Sequence, residues 1–100
     1  MKYNKLIRDK IPEMLDEKKI PYKIHSADDT EYWEKLKEKL VEEVAEFNKD
    51  ENIEELADVM EVLDAIIAFR QYSQMDIQKA KIEKAEKRGA FTKKIILEES

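Results

Sequence analysis

The sequence predicts an all-α fold, and three observations support this prediction. Glycine occurs once and proline twice in 100 residues, so few positions interrupt a regular helix. Glutamate, lysine, alanine and leucine, which all favour helices, are abundant. Apolar residues in the middle of the chain recur at spacings of three and four, the period of a helix buried along one face. We therefore expect a helical hairpin or bundle, formed as a single domain by residues 1–100.

The first third of the chain predicts short elements. Pro12 suits the first turn of a helix, which indicates a helix from about Pro12 to Lys18. Polarity alternates near residues 22–26, which favours a short strand there, and the C-terminal tail at residues 91–97 is a candidate for a second short strand paired with it. Between them, the Asp and Thr residues of SADDT, residues 26–30, are good N-caps for a following helix.

Three longer helices follow. The first opens at Thr30 and ends in NKDEN, residues 48–52. Its apolar stripe recurs every three or four positions: Trp33, Leu36, Leu40, Val44 and Phe47. The second, from about Ile53 to Tyr72, is apolar around most of its circumference, which is typical of a buried helix. The third, from about Asp76 to Arg88, is mostly Lys and Glu and precedes Gly89 at a C-terminal capping position.

Composition excludes several classes of function. The net charge of −5 argues against a nucleic-acid binder, which normally carries a basic excess. The most apolar stretch, Leu56 to Phe69, contains three acidic residues and does not predict a membrane span. The N-terminal residues are charged and have no apolar core of a signal peptide, and cysteine is absent, so we expect a cytoplasmic protein.

Two pairs of acidic residues stand out because they lie on or beside the apolar faces of consecutive helices. Glu43 and Glu46 are three residues apart on the first long helix, and so are Glu55 and Asp58 on the second. A short connection makes such helices antiparallel neighbours. We therefore expect the four carboxylates to converge near the connection between the helices.

Converging carboxylates without a counter-charge disfavour one another's ionisation, and a hard divalent cation removes that cost. Mg²⁺ and Mn²⁺ prefer oxygen ligands, and Mg²⁺ commonly shares them with substrate phosphates. Spacing alone also allows a solvated helix face, on which Glu42 pairs with Lys39. The acidic pairs thus indicate either a metal site for phosphate chemistry or an ordinary charged surface.

The acidic pattern resembles the signature of the MazG-like all-α nucleoside triphosphate pyrophosphohydrolases, EExxE followed by ExxD. EEVAE at residues 42–46 and EELAD at residues 54–58 match it, with eight residues between Glu46 and Glu55. Two flanking segments, YNKLIRDKIP from Tyr3 and KAEKRGAFTKKIILEE from Lys84, resemble a small subgroup often labelled phosphoribosyl-ATP pyrophosphohydrolase-like. The chain has Ala90 where that subgroup usually has the second glycine of RGGF.

The resemblance implies a reaction and roles for particular residues. Glu43, Glu46, Glu55 and Asp58 would be Mg²⁺ ligands, and Glu42 would support them or orient the attacking water. These five carboxylates would hydrolyse the α–β phosphoanhydride of a nucleoside triphosphate, releasing the monophosphate and pyrophosphate. Five cations in the matching terminal segments would bind substrate phosphates: Lys5, Arg8, Lys10, Lys84 and Arg88. Each of these bases is equally compatible with a solubilising surface position.

Two other functions remain open from the sequence. The same chemistry could act on phosphoribosyl-ATP in histidine biosynthesis, or the chain could be a helical interaction module without catalysis. Under every interpretation we expect a homo-oligomer, a dimer or a tetramer, because a short chain with an almost wholly apolar helix needs a partner to cover it. We expect a nucleotide substrate as the other partner, and neither nucleic acid nor a membrane.

Overall fold

The computed structural model describes residues 3–100; the first two residues of the expected domain lie outside the described part. The chain forms four α-helices: α1 at Ile11–Glu17, α2 at Asp29–Asp50, α3 at Ile53–Arg70 and α4 at Gln74–Arg88. The described residues contain no strand, so the predicted all-helical class is confirmed. No helix within residues 3–100 combines the length and the apolar character that crossing a bilayer requires.

Side-chain caps set where the three long helices begin. The Asp28 carboxylate accepts a hydrogen bond from the Glu31 backbone N–H at 2.9 Å, so α2 begins at Asp29, one residue before the expected Thr30. Ser73 Oγ caps α4 in the same way and starts it two residues earlier than expected. Each cap satisfies a backbone donor that has no partner inside the helix.

Helices α2 and α3 form an antiparallel hairpin. Only Glu51 and Asn52 connect them, and Glu51 reverses the chain in the left-handed backbone region at φ 50°. At the far end of the hairpin, the Trp33 and Phe69 rings stack with centroids 5.8 Å apart. The start of α2 therefore meets the end of α3, and the acidic segments meet beside the connection.

The core is small and lies between α2 and α3. Leu36 and Val62 are the buried apolar residues of the described chain, with 1% and 8% of their surfaces exposed. No other pair of described helices packs comparably. The radius of gyration is 17.9 Å, against about 13 Å for a compact chain of this length. Every residue of α4 except Ile77 is exposed, so this helix adds little to the core.

The two expected strands, near residues 22–26 and 91–97, are wrong. No backbone hydrogen bond joins the two segments within the described chain. His25 instead contacts the Glu31 carboxylate at 3.0 Å, beside the start of α2. A pair of strands alone is marginally stable in water, and alternating polarity cannot supply the apolar surface that would hold it.

Candidate metal and phosphate site

Three carboxylates converge where α2 and α3 approach the connection. One oxygen from each of Glu43, Glu55 and Asp58 lies within 4.8 Å of the other two. Glu43 is the most buried of them, with 9% of its surface exposed, and faces the neighbouring helix as its position beside the apolar stripe predicted. The triplet therefore combines one acidic residue of α2 with two of α3.

A second triplet overlaps the first. Oxygens of Glu46, Asp50 and Glu55 also lie within 4.8 Å of one another, so Glu55 belongs to both groups. The four expected ligands therefore do not form one set, because Glu46 groups with Asp50 rather than with Glu43. Sequence reasoning missed Asp50 because NKDEN was interpreted as the break after the helix, whereas α2 extends to Asp50. The spacing of four residues from Glu46 was the available signal.

The acidic environment changes the ionisation of Glu55. Burial raises the pKa of Glu55, and neighbouring negative charges raise it further: Asp58, Glu46, Asp50 and Glu43. All but one of these neighbours are carboxylates of α2, across the hairpin. The charged form of Glu55 is therefore disfavoured by its surroundings.

The donor set fits a hard divalent cation. Oxygens that coordinate one octahedral Mg²⁺ at about 2.1 Å are roughly 3–4 Å apart, and the oxygens of each triplet, all within 4.8 Å of one another, are close enough for small side-chain movements to reach that spacing. All donors of the two triplets are carboxylate oxygens, and no thiolate is available because cysteine is absent. Mg²⁺ or Mn²⁺ would be held by Glu43, Glu55 and Asp58, with Glu46 and Asp50 beside them.

Glu42 lies next to the cluster but has its own cations. Lys5 Nζ lies 3.1 Å from Glu42 Oε1, and Lys39 Nζ lies 3.5 Å from the same oxygen. Partial burial opposes ionisation of Glu42, but the hydrogen bond from Lys5 and the charges of Lys39 and Lys5 together hold its pKa below the ordinary value. Lys39 also contacts Glu43 at 3.3 Å and so joins Glu42 to the candidate ligands.

The N-terminal segment brings two of the five expected phosphate-binding cations to the site. Lys5 contacts Glu42, and Arg8 Nη2 donates a hydrogen bond to Asp58 Oδ1 at 2.7 Å. The Lys5–Glu42 contact joins residues that are 37 positions apart in the chain, and the Arg8–Asp58 contact joins residues that are 50 positions apart. Lys5 and Arg8 thus lie at the acidic cluster, where their present partners are carboxylates.

The other three expected cations are not brought to the cluster. Within residues 3–100, Lys10, Lys84 and Arg88 form no ion pair, and the last two lie on the exposed second half of α4. Charge alone could not have separated them from Lys5 and Arg8, because their distance from the acids depends on how the terminal segments fold.

A small cleft borders the acidic site. Its volume is about 140 Å³, and it lies between the N-terminal segment and α2. Tyr3, Asn4 and Lys5 line one wall, while Lys39 and Glu42 lie on the other. A larger, open depression of about 580 Å³ runs along α4 but contains none of the clustered carboxylates. The chemistry therefore points to the smaller cleft.

Comparison of the chain with protein-family models, with curated proteins and with solved structures found no match. The carboxylates of α2 and α3 and the cations of the N-terminal segment are therefore the basis for assigning a function. The resemblance to the MazG-like family remains a hypothesis carried by the quoted sequence segments.

Proposed function

We propose that this protein is a Mg²⁺-dependent nucleoside triphosphate pyrophosphohydrolase of the MazG-like type, which also accepts Mn²⁺ and acts in the cytoplasm. The substrate would be cleaved at its α–β phosphoanhydride to give a nucleoside monophosphate and pyrophosphate. The observation that carries the proposal is the convergence of Glu43, Glu55 and Asp58 from two helices, with Arg8 and Lys5 at the edge. Such a site combines ligands for a metal with donors for phosphate.

Each group has a separate role in this proposal. A bound divalent ion would neutralise phosphate charge and lower the pKa of a coordinated water. Arg8 and Lys5 would donate hydrogen bonds to phosphate oxygens and stabilise charge on the departing pyrophosphate. Glu42, whose lowered pKa keeps it ionised, would orient the attacking water by accepting a hydrogen bond from it.

The decisive experiment measures pyrophosphate release from a panel of nucleoside triphosphates, with and without Mg²⁺. We expect release only with the metal, and a loss of about 100-fold or more in Glu43→Gln and Glu55→Gln. Glu54→Gln is the matched control, because Glu54 is the exposed neighbour of Glu55 and belongs to neither triplet. Full turnover in Glu55→Gln, or equal losses in Glu54→Gln, would refute the site.

Phosphoribosyl-ATP belongs in the same panel, because its hydrolysis uses the same bond and the same site. Preference for phosphoribosyl-ATP over every simple nucleotide would move the assignment to histidine biosynthesis. The 140 Å³ cleft is smaller than a typical ligand pocket, so it can receive part of a nucleotide rather than the whole.

A non-catalytic interaction module is the second candidate, and the exposed apolar surface favours it. Leu56, Met60 and Leu63 follow one face of α3, and 41–57% of each is exposed. We propose that this face binds a second copy of the chain, giving the expected dimer or tetramer. Titration of the protein with Mg²⁺ in a calorimeter separates the candidates, since a module without catalysis has no need to bind the metal with or without nucleotide.

A further inference from the structure

The N-terminal segment crosses both arms of the hairpin at the acidic site. Lys5 pairs with Glu42 of α2, whereas Arg8 pairs with Asp58 of α3. The Arg8 contact is short, at 2.7 Å, and joins a guanidinium to a carboxylate that also belongs to the triplet with Glu43 and Glu55. Arg8 therefore places a positive charge on Asp58, one of the carboxylates proposed to bind the metal.

A guanidinium and a divalent cation on one carboxylate repel each other. With metal–oxygen distances of about 2.1 Å, their charge centres would lie roughly 4–5 Å apart. The present pair is also easy to exchange, because 56% of the Arg8 side chain and 39% of the Asp58 side chain are exposed. Exposed ion pairs are held weakly, since water screens the attraction and the side chains lose freedom by pairing.

We infer that Arg8 and a divalent cation compete for Asp58, so that metal binding releases the Arg8 guanidinium toward the phosphates of the substrate. The destination of Arg8 rests on the proposed function, but the competition concerns only the metal and the protein. In the metal-free protein, Arg8 acts as an internal counter-ion that limits repulsion within the cluster. Once the metal has replaced it, a fork of N–H donors is free beside the site.

If Arg8 instead stays on Asp58 when the metal binds, removing Arg8 changes the metal affinity in the opposite direction. Arg8 could hold one oxygen of Asp58 while the metal takes the other, in which case Arg8 orients the ligand. Removing Arg8 would then weaken metal binding. Competition predicts that the same change strengthens it.

The test measures Mn²⁺ binding by electron paramagnetic resonance, and Mg²⁺ binding by calorimetry, on the full-length protein at low salt without nucleotide. We expect Arg8→Gln to bind either ion about three- to fivefold more tightly, the range that a weak exposed ion pair allows. Lys49→Gln is the control: Lys49 is an exposed cation at the same end of α2, it removes the same charge, and it forms no ion pair in the described chain. Unchanged or weaker binding in Arg8→Gln overturns the inference, as does an equal gain in Lys49→Gln or absence of binding in the wild type.

Pyrophosphate provides the second readout. In saturating Mg²⁺, we expect Arg8→Gln to bind pyrophosphate about tenfold more weakly than either the wild type or Lys49→Gln. Tighter metal binding together with weaker pyrophosphate binding is a reversal that simple unfolding would not produce, and circular dichroism of each variant checks the fold. Unchanged pyrophosphate binding would overturn the release of Arg8 toward phosphate.

The outcomes separate this inference from the proposed function. If the wild type hydrolyses nucleotides and Arg8→Gln binds metal more weakly, the function stands and the competition fails. If Arg8→Gln binds metal more tightly but no nucleotide is hydrolysed, the competition stands and the proposed function fails.

Discussion

Glu55 is the residue on which the two acidic triplets meet, and its surroundings give it a distinctive pH dependence. It belongs to both groups, at the start of α3. Burial and the neighbouring carboxylates raise the pKa of Glu55. Protons therefore compete with a metal at this position over a higher pH range than at an ordinary glutamate.

The raised pKa predicts how pH changes metal affinity. Metal binding requires the ionised carboxylate, so we expect Mg²⁺ affinity to fall as the pH drops through the raised pKa of Glu55. Calorimetric titrations at several pH values measure this directly. If affinity keeps its neutral-pH value until the range of an unperturbed glutamate is reached, Glu55 is not a ligand.

The contribution of Glu55 to the stability of the metal-free protein should depend on pH in the opposite direction to metal affinity: it should become more favourable as the pH falls. A group whose pKa is raised by folding stabilises the fold below its unfolded pKa, and that contribution is lost as the pH rises through the folded pKa. We therefore expect Glu55→Gln, which carries no charge at any pH, to melt at a higher temperature than the wild type at neutral pH in the presence of a chelator. Thermal melts of both proteins, with Glu54→Gln as the control, check the sign. A lower melting temperature for Glu55→Gln would contradict the repulsion described here.

At the scale of elements, the start of α3 couples helix capping to the site. Asn52 Oδ1 accepts a hydrogen bond at 2.9 Å from the backbone N–H of Glu55 itself. The cap thus fixes the backbone of the residue that both triplets share. Local sequence preference and the site geometry depend on the same hydrogen bond.

Removing this cap should reduce the stability of the fold. We expect Asn52→Ala to lower the free energy of unfolding by about 1 kcal/mol, because the Glu55 N–H loses its acceptor. Urea denaturation measures the change, and Asn52→Ser should restore most of it. Asn48→Ala, at an exposed position inside α2, is the control. An Asn52→Ala protein as stable as the wild type would show that water replaces the cap without cost.

The hairpin core offers a second test at the scale of elements. Leu36 is the most completely buried side chain of the described chain. We expect Leu36→Ala to lower the free energy of unfolding by about 2–4 kcal/mol, because it leaves a cavity between α2 and α3. Val41→Ala, on the exposed side of the same helix with 72% of its surface accessible, should change stability little. Similar losses in the two variants would place the core elsewhere.

At the scale of the whole molecule, the single chain leaves much apolar surface uncovered. Its radius of gyration exceeds that of a compact chain, and Leu56, Met60 and Leu63 line an exposed face of α3. Phe91 and the apolar residues that follow it are also exposed in the C-terminal segment. A second copy of the chain would give these surfaces a partner.

We expect the purified protein to be a dimer or a tetramer, and Met60→Lys to shift it to monomers. A lysine in the middle of the α3 face would lose hydration on assembly without gaining a partner charge. Size-exclusion chromatography with light scattering gives the mass. Asn48→Lys adds the same charge at an exposed polar position of α2 and should leave the mass unchanged. A monomeric wild-type protein would refute the assignment of this α3 face as the interface between copies of the chain.

The sequence by itself determined the helices and three of the acidic residues that meet between them, whereas Glu46, expected beside the same face, is exposed. Few helix breakers, the three-and-four spacing of apolar residues and the caps act over short distances, so they can be interpreted along the chain. The same local signals placed Glu43, Glu55 and Asp58 beside the α2–α3 connection. Alternating polarity at residues 22–26 was misleading, because a strand also needs a partner that no local signal supplies.

Only the tertiary structure decided how the charges meet. It divided the expected ligands into two triplets, added Asp50, and placed Lys5 and Arg8 against the acids. Among the described residues, it left Lys84 and Arg88 without an ion pair on the exposed α4. The physical reason is range: helix formation depends on neighbours within a few residues, whereas the Arg8–Asp58 contact joins positions 50 apart. Whether two such charges meet depends on the path of the chain between them.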